Sequence, residues 1–175
     1  MYRLSNPFIW LLRIRHRCGY GVHSPYAFHF ITDVIYEKAS YYSYKELDNG
    51  LSRKEWFRVR KILHLLFRIS NWRQPDNIVC LDSSDNVMRY LAAGCKKAKI
   101  TDSIPEAKVD LCWLSEPNEE VLPHLHEQSV LLLDNLDKHR QWFNNLPSVV
   151  SFDLYDIGIA FFDTKYNKQH YIVNF

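Results

Sequence analysis

The sequence VDLCWL occupies residues 109–114, and it has the length and apolar content of a buried β-strand. A similar run, IVCL, precedes it at residues 78–81, and a third, SVLLL, follows at residues 129–133. A helical pattern over residues 87–93 comes after the first of these runs and ends at Gly94. Strands that alternate with helices predict a parallel sheet covered by helices, so these runs indicate an α/β fold.

Further elements are predicted on the C-terminal side of the first run. A weak strand is expected at residues 98–101, and helices are expected over residues 117–127 and 140–146. Three strand candidates then follow without a helix between them, at residues 149–154, 157–162 and 170–175. Such strands must turn back through short loops, so we expect the sheet to end in an antiparallel portion.

The first 75 residues predict three helices. Asn6 and Pro7 are typical of a helix start, and Gly19 marks the end of that helix. Ser24 and Pro25 repeat this opening for a second helix. The third begins at the capping box of residues 52–55 and ends before Pro75. We therefore expect a helical region over residues 1–75 and an α/β core over residues 76–175, which together form one compact unit.

Charge is distributed unevenly along the chain. Residues 1–75 contain 13 Lys and Arg against 5 Asp and Glu, a balance of +8, whereas residues 76–175 have a balance of −6. One interpretation is that the two parts neutralise each other within the fold. The other is that the basic part binds an anionic partner such as nucleic acid or a lipid surface.

Cysteine spacing and hydropathy bear on the compartment. The four cysteines form no C-x-x-C pair, and Cys80 and Cys112 lie in apolar runs typical of buried thiols. The apolar stretch at residues 8–12 ends at Arg13, far short of a membrane span. We expect a cytoplasmic protein with reduced cysteines and no transmembrane segment.

Two segments point to a family. The N-terminal stretch GYGVHSPYAF at residues 19–28 and the tail SFDLYDIGIAFF at residues 151–162 resemble segments of a bacterial family of class I S-adenosylmethionine-dependent methyltransferase-like proteins. The resemblance covers most of the chain. It implies a reduced Rossmann-like methyltransferase sheet, mostly parallel, with antiparallel C-terminal strands and preceded by N-terminal helices.

The cofactor-binding segment departs from the pattern of that family. The first strand of the fold normally ends in an acidic residue and a glycine-rich turn, which lets the backbone approach the cofactor. Here Asp82 keeps the acid, but Ser83 and Ser84 follow in place of glycine, and Asp85 adds negative charge. These side chains are expected to cap the next helix. Asp102 is the candidate for the ribose hydroxyls, although the chain between it and the next strand is too short for the usual helix and strand.

A candidate metal site follows the third apolar run. Asp134 and Asn135 resemble the Asp-Asn pair with which cation-dependent O-methyltransferases hold a divalent ion. Ser115 stands where a third, acidic ligand would be, with Glu116 beside it. We favour the interpretation that Asp134 caps the following helix, and we expect no bound metal.

The scarcity of glycine limits the chemistry further. The chain contains 5 glycines, whereas average usage predicts about twelve. No G-x-x-x-x-G-K-[ST] motif is present, and no G-x-G-x-x-G motif follows a predicted strand.

Two functions are therefore compatible with the sequence. The favoured hypothesis is a non-catalytic binding or assembly module that has a degenerate S-adenosylmethionine site and no cofactor. The alternative is an active S-adenosylmethionine-dependent methyltransferase acting on a small molecule or RNA, in which case Asp82, Ser83, Ser84 and Asp102 hold the cofactor. The expected partner is a second copy of the chain, docked through the apolar and basic first helix, ahead of nucleic acid.

Overall fold

A computed structural model of the protein describes residues 11–175, apart from the side chains of Lys54, Phe57 and Arg58. The described chain contains one seven-stranded sheet. Its strands are β1 (Asn77–Leu81), β2 (Lys99–Thr101), β3 (Val109–Leu114), β4 (Leu125–Leu133), β5 (Val150–Asp153), β6 (Gly158–Phe161) and β7 (Gln169–Ile172).

The strand order is β2-β1-β3-β4-β6-β5-β7. Strands β1 to β4 are parallel, and β6 is inserted antiparallel between β4 and β5. The predicted α/β fold is confirmed: the sheet is Rossmann-like and mostly parallel, has an antiparallel C-terminal portion and is preceded by helices.

The pairing of the last strand differs from the expectation, because β7 is parallel to β5. Val150 lies opposite both Phe161 and Gln169. The end of β6 therefore lies beside the beginning of β5. The chain crosses that end of β5 and then forms β7 in the same direction as β5.

Six α-helices surround the sheet in the described part of the chain. They are α1 (Pro25–Phe30), α2 (Tyr42–Asn49), α3 (Arg53–Arg58), α4 (Arg60–Arg73), α5 (Asp85–Gly94) and α6 (Leu136–Asn145). A π-helical turn, Ile31–Ile35, continues α1, and short 3-10 helices occupy Ile14–His16 and Leu122–His124.

Alternate residues along each strand contribute to two apolar cores, one on each face of the sheet. In β1, Ile78 and Cys80 belong to the core formed with helices α1, α2, α4 and α5, whereas Val79 belongs to the core formed with α6. Successive strand residues point to opposite faces, so both faces of the sheet are covered. We call α1 to α5, with the π-helical turn, the helical layer.

The N-terminal helices differ from the prediction in three places. The capping box at Ser52 and Glu55 is present, but the third helix is interrupted at Val59, whose φ is −117°. An additional helix, α2, forms where the sequence analysis predicted no helix. The start of the predicted first helix lies outside the described residues, and within them its helical residues end at Leu12. A 3-10 helix occupies Ile14–His16, so Gly19, with a φ of +76°, does not directly follow the helix as predicted.

The predicted helix over residues 117–127 is wrong. A 3-10 helix occupies Leu122–His124, and β4 begins at Leu125. Pro123 has no N–H to donate to a helical carbonyl. The Ser129 hydroxyl then accepts a hydrogen bond from the His126 N–H and donates one to the Val109 carbonyl, which holds this segment extended.

The helices within residues 11–175 are short or carry many charged side chains. No helix there is both long enough and apolar enough to cross a membrane.

Candidate functional site

The candidate site lies where the parallel strands end. Asp82 follows β1, Ser115 follows β3 and Asp134 follows β4, and parallel strands end at a common edge of the sheet. The Ser115 hydroxyl donates a hydrogen bond of 2.8 Å to the Asp82 carbonyl. The Asp134 N–H donates one of 2.9 Å to the Leu114 carbonyl. The turns after three neighbouring strands are thus joined directly.

The turn after β1 adopts an unusual backbone without glycine. Asp82 has a φ of +50°, in the left-handed region that glycine occupies most easily. The Ser83 hydroxyl is buried without a hydrogen-bond partner among the described residues, although the Cys80 thiol lies near it. Burial raises the pKa of that thiol to about 12, so Cys80 is an unreactive neutral group at pH 7.

The capping expected of this turn is only partly observed. Ser84 occupies the N-cap position of α5, but its side chain makes no capping hydrogen bond. Its carbonyl accepts from the Val87 N–H at 2.9 Å, as an ordinary helix start requires. The prediction that serine side chains cap the helix here was therefore wrong, and the Ser115 hydroxyl instead engages the turn from the neighbouring strand.

Asp102 lies further back along the edge than Asp82. In the parallel pairing, Thr101 is opposite Val79, two residues before the end of β1. The Asp102 side chain is exposed, and the Thr101 hydroxyl bonds to the Ser103 carbonyl at 3.0 Å. The structure thus places Asp102 at the same edge of the sheet as Asp82, but two residues further back along the strand direction.

The Asp134-Asn135 pair is held by its own backbone. The N-cap of α6 is Asn135, with a φ of +49°, so the prediction that Asp134 is the cap was wrong. The buried Asp134 carboxylate accepts a 2.7 Å hydrogen bond from the Asn135 N–H. Among residues 11–175, no group of three or more His, Cys, Asp or Glu side chains is placed to hold a metal ion.

Two further carboxylates at this edge were missed by the sequence analysis. Asp156 has a pKa raised to about 6, first by burial and then by the charges of Asp137 and Asp134. Asp153, at the end of β5, is 2% exposed and forms ion pairs with Arg13, at 2.9 Å, and with Arg140.

Both arginines of this ion-pair network also contact an aromatic ring. The Arg13 and Arg140 guanidinium carbons lie 5.2 and 5.9 Å from the centre of the Tyr155 ring. The Tyr155 N–H donates to Asp153 at 2.8 Å. In the sequence, Asp153 lies inside a predicted strand, and nothing in the neighbouring residues indicates that it pairs with two distant arginines.

Within the helical layer, helix α3 contacts the first turn of α5. The Asn86 amide donates a 3.0 Å hydrogen bond to Glu55, the same residue that completes the capping box of α3. Further along α5, the Tyr90 hydroxyl donates to Asp48 at 2.6 Å, and Asp48 also pairs with Arg60 and His64. These bonds fix the helical layer against the side of the turn that follows β1.

The GYGVHSP segment forms a turn followed by a helix start. Gly19 and Gly21 have φ values of +76° and +77°, and the Ser24 hydroxyl accepts from the Ala27 N–H to cap α1. Tyr26, which follows the segment, stacks on Tyr166 with ring centres 4.3 Å apart. The segment therefore anchors α1 to the loop between β6 and β7.

Comparison with known proteins adds no relationship. No protein-family model matches the chain, and no match was found among curated proteins.

Proposed function

We propose that this chain is a class I S-adenosylmethionine-dependent methyltransferase-like protein that acts as a non-catalytic binding module. The parallel sheet with its antiparallel insertion between β4 and β5 supports the first part of this proposal. The segments at residues 19–28 and 151–162 support it through their resemblance to that family.

The observation that carries the non-catalytic part is the turn at residues 82–84. A cofactor turn needs backbone without side chains, so that its N–H groups can approach the ligand closely. Here three side chains are present, and the Asp82 carbonyl is engaged by the Ser115 hydroxyl. The turn therefore presents side chains where a cofactor would need bare backbone, and one of its carbonyls is already bonded within the protein.

Charge at the same place also disfavours the cofactor. Asp85 lies in the first turn of α5, and Glu55 reaches that turn through Asn86. The N-terminus of a helix attracts negative charge, and these two carboxylates already supply it. The carboxylate of S-adenosylmethionine would be repelled there.

Isothermal titration with S-adenosylmethionine and S-adenosylhomocysteine tests this proposal. We expect no saturable heat for the natural chain at micromolar concentrations. A double variant, Ser83→Gly with Ser84→Gly, opens the turn and is the matched comparison. Micromolar binding by the natural chain would overturn the non-catalytic interpretation and favour an active methyltransferase on a small molecule or RNA.

We also propose that the module assembles with a second copy of the chain, in the cytoplasm, through the segment that precedes Arg13. Leu11 and Leu12 are 60% and 81% exposed, although both are large and apolar. Arg13 ties the end of this segment to Asp153, so the apolar residues are presented from a fixed base. Exposed apolar side chains in a group favour burial against protein.

Sedimentation of a Leu12→Asp variant tests the assembly without removing Arg13. We expect the variant to be monomeric at concentrations where the natural chain is dimeric. Ile172→Asp is the control, since Ile172 is also an exposed apolar residue but lies in β7. If the natural chain is already monomeric and instead binds single-stranded RNA, nucleic acid replaces the second copy as the partner.

A further inference from the structure

A cavity of about 460 Å³ opens between the helical layer and the end of the described chain. Its cationic lining residues are Arg17, Lys38, Arg60, Lys61 and Arg68. Among the described residues of the lining, Glu37 is the one acidic side chain. The volume is within the range of small-molecule sites, and the lining is unusually basic for one.

Arg68 is the most buried of these cations, with 7% of its surface exposed. Its Nε donates to the Val34 carbonyl at 2.7 Å and its Nη2 to the Ile35 carbonyl at 3.0 Å. These bonds fix the guanidinium but add no negative charge. Within the described part of the chain, no ion pair joins Arg68 to a carboxylate, so no described residue supplies a counter-ion in contact with this buried charge. Burying an unpaired charge is costly.

Lys61 adds a second charge of the same sign. Its ammonium lies 4.0 Å from the centre of the Phe175 ring, and it also has no ion pair with a described carboxylate. Lys61 keeps an exposed surface, and its pKa is lowered by partial burial and then by the charges of Arg68 and Arg17. All three cations line the same cavity.

The nearby carboxylates are already engaged elsewhere. Both oxygens of Glu37 accept from the Tyr41 hydroxyl, at 2.8 and 2.9 Å. Asp48 pairs with Arg60 at 2.7 Å and with His64 at 2.8 Å. The neutral Tyr41 hydroxyl leaves Glu37 its negative charge, but that single charge is outnumbered by the cationic side chains of the lining. The cavity therefore keeps an excess of positive charge.

We propose that this cavity binds a small phosphate-bearing ligand, with the phosphate placed among Arg17, Lys61 and Arg68. A phosphate ester carries nearly two negative charges and several acceptor oxygens, which a single carboxylate cannot match. The planar donors of arginine suit phosphate oxygens particularly well. Trp56 lines the same cavity and is 41% exposed, with the Arg60 guanidinium carbon 4.8 Å from the centre of its ring, so the organic part of the ligand would contact this Trp–Arg pair.

This site is independent of the proposed cofactor turn. The cavity lining and residues 82–86 share no residue. Titration with S-adenosylmethionine therefore tests one proposal and titration with phosphates tests the other, and either can fail alone.

Isothermal titration with inorganic pyrophosphate at low ionic strength tests the site. We expect saturable binding by the natural chain and binding at least tenfold weaker by Lys61→Gln, since charge-assisted contacts to phosphate are strong. Lys138→Gln is the matched control: it removes the same charge from α6, on the opposite face of the sheet, and should bind like the natural chain.

Two results would overturn the proposal. One is the absence of saturable heat up to millimolar pyrophosphate, and the other is equal affinity for Lys61→Gln and Lys138→Gln. Arg68→Met, checked for folding by circular dichroism, should also lose binding if it folds. A single-stranded oligoribonucleotide that binds when pyrophosphate does not would assign the cavity to a polymer surface and reject the small-ligand site.

Discussion

The carboxyl edge of the sheet and the helical layer treat buried charge in opposite ways. At the edge, Asp153 is almost fully buried and is paired with two arginines. In the helical layer, Arg68 is almost fully buried and is held by two neutral carbonyls. The buried charge of Asp153 is thus balanced within the protein, whereas the helical layer keeps a positive excess.

This difference refines the two interpretations of the uneven charge. Arg13, from the basic part of the chain, does neutralise Asp153 in the acidic part. Lys61 and Arg68 have no such partner in the described chain. Neutralisation within the fold therefore accounts for the charge of Arg13. The charges that line the cavity are the ones for which we expect an external anion.

The largest effect is expected from Asp153→Ala. Removing the carboxylate leaves Arg13 and Arg140 without their partner and the Tyr155 N–H without its acceptor. Breaking a buried ion pair costs about 3–5 kcal/mol, and we expect the lower end because Arg140 keeps access to solvent. Urea unfolding measures the loss. Asp102→Ala removes an exposed acid of the same edge and should change stability little, so equal losses would contradict this account.

The next effect has the opposite sign and comes from Asp156→Asn. The pKa of Asp156 is raised to about 6 in the folded chain, so its ionisation above that pH opposes folding. The amide removes this cost, and we expect a gain of about 1–2 kcal/mol at pH 7.5 after allowance for solvent screening.

Thermal unfolding at several pH values tests the sign. The gain from Asp156→Asn should shrink as pH falls through 6 and vanish near pH 4, where the carboxyl is neutral in the folded chain. A gain that is constant with pH would mean that ionisation of the Asp156 carboxyl is not its cause.

A smaller loss is expected from Ser115→Ala. The substitution removes the 2.8 Å hydrogen bond to the Asp82 carbonyl, which is worth about 1 kcal/mol. The same variant tests the comparison between the edge and the helical layer, because it removes a contact at the edge without changing any charge. Ser103→Ala is a suitable control, since the Ser103 carbonyl and not its hydroxyl is engaged. Urea midpoints of the two variants should differ accordingly.

The smallest effect is expected from Lys61→Gln in phosphate-free buffer. Removing one of three neighbouring cations should stabilise the chain slightly, by about 0.5 kcal/mol. The gain should fall as salt rises, because screening weakens the repulsion. A loss of stability instead would show that Lys61 is balanced by the protein, against the contrast drawn here.

Several elements were predictable because their signals are local. The apolar runs of β1, β3 and β4 and the capping box at Ser52 needed only neighbouring residues. Helix α2 was missed because its tyrosines suggested a polar stretch, although the spacing of Tyr44 and Leu47, both buried, was a helical signal.

Features that depend on distant residues were not predictable. Residues 125–128 join β4 because Ser129 bonds to β3, which no local pattern encodes. Arg68 is buried and bonded to the end of the π-helical turn, which lies more than thirty residues earlier in the chain. For the candidate site, the sequence predicted which residues follow the ends of the strands. The contacts between those residues depend on the fold and could not be predicted.

The two outer strands of the sheet have a consequence for aggregation. An exposed strand edge offers unpaired backbone groups to other chains, and short, polar or lysine-rich edge strands prevent such templating. Strand β2 has three residues and begins at the exposed Lys99, while β7 has four and begins with the exposed Gln169 and His170. Neither edge gives a second molecule a long apolar strand to extend, so the sheet is protected from fibril-like growth at both ends.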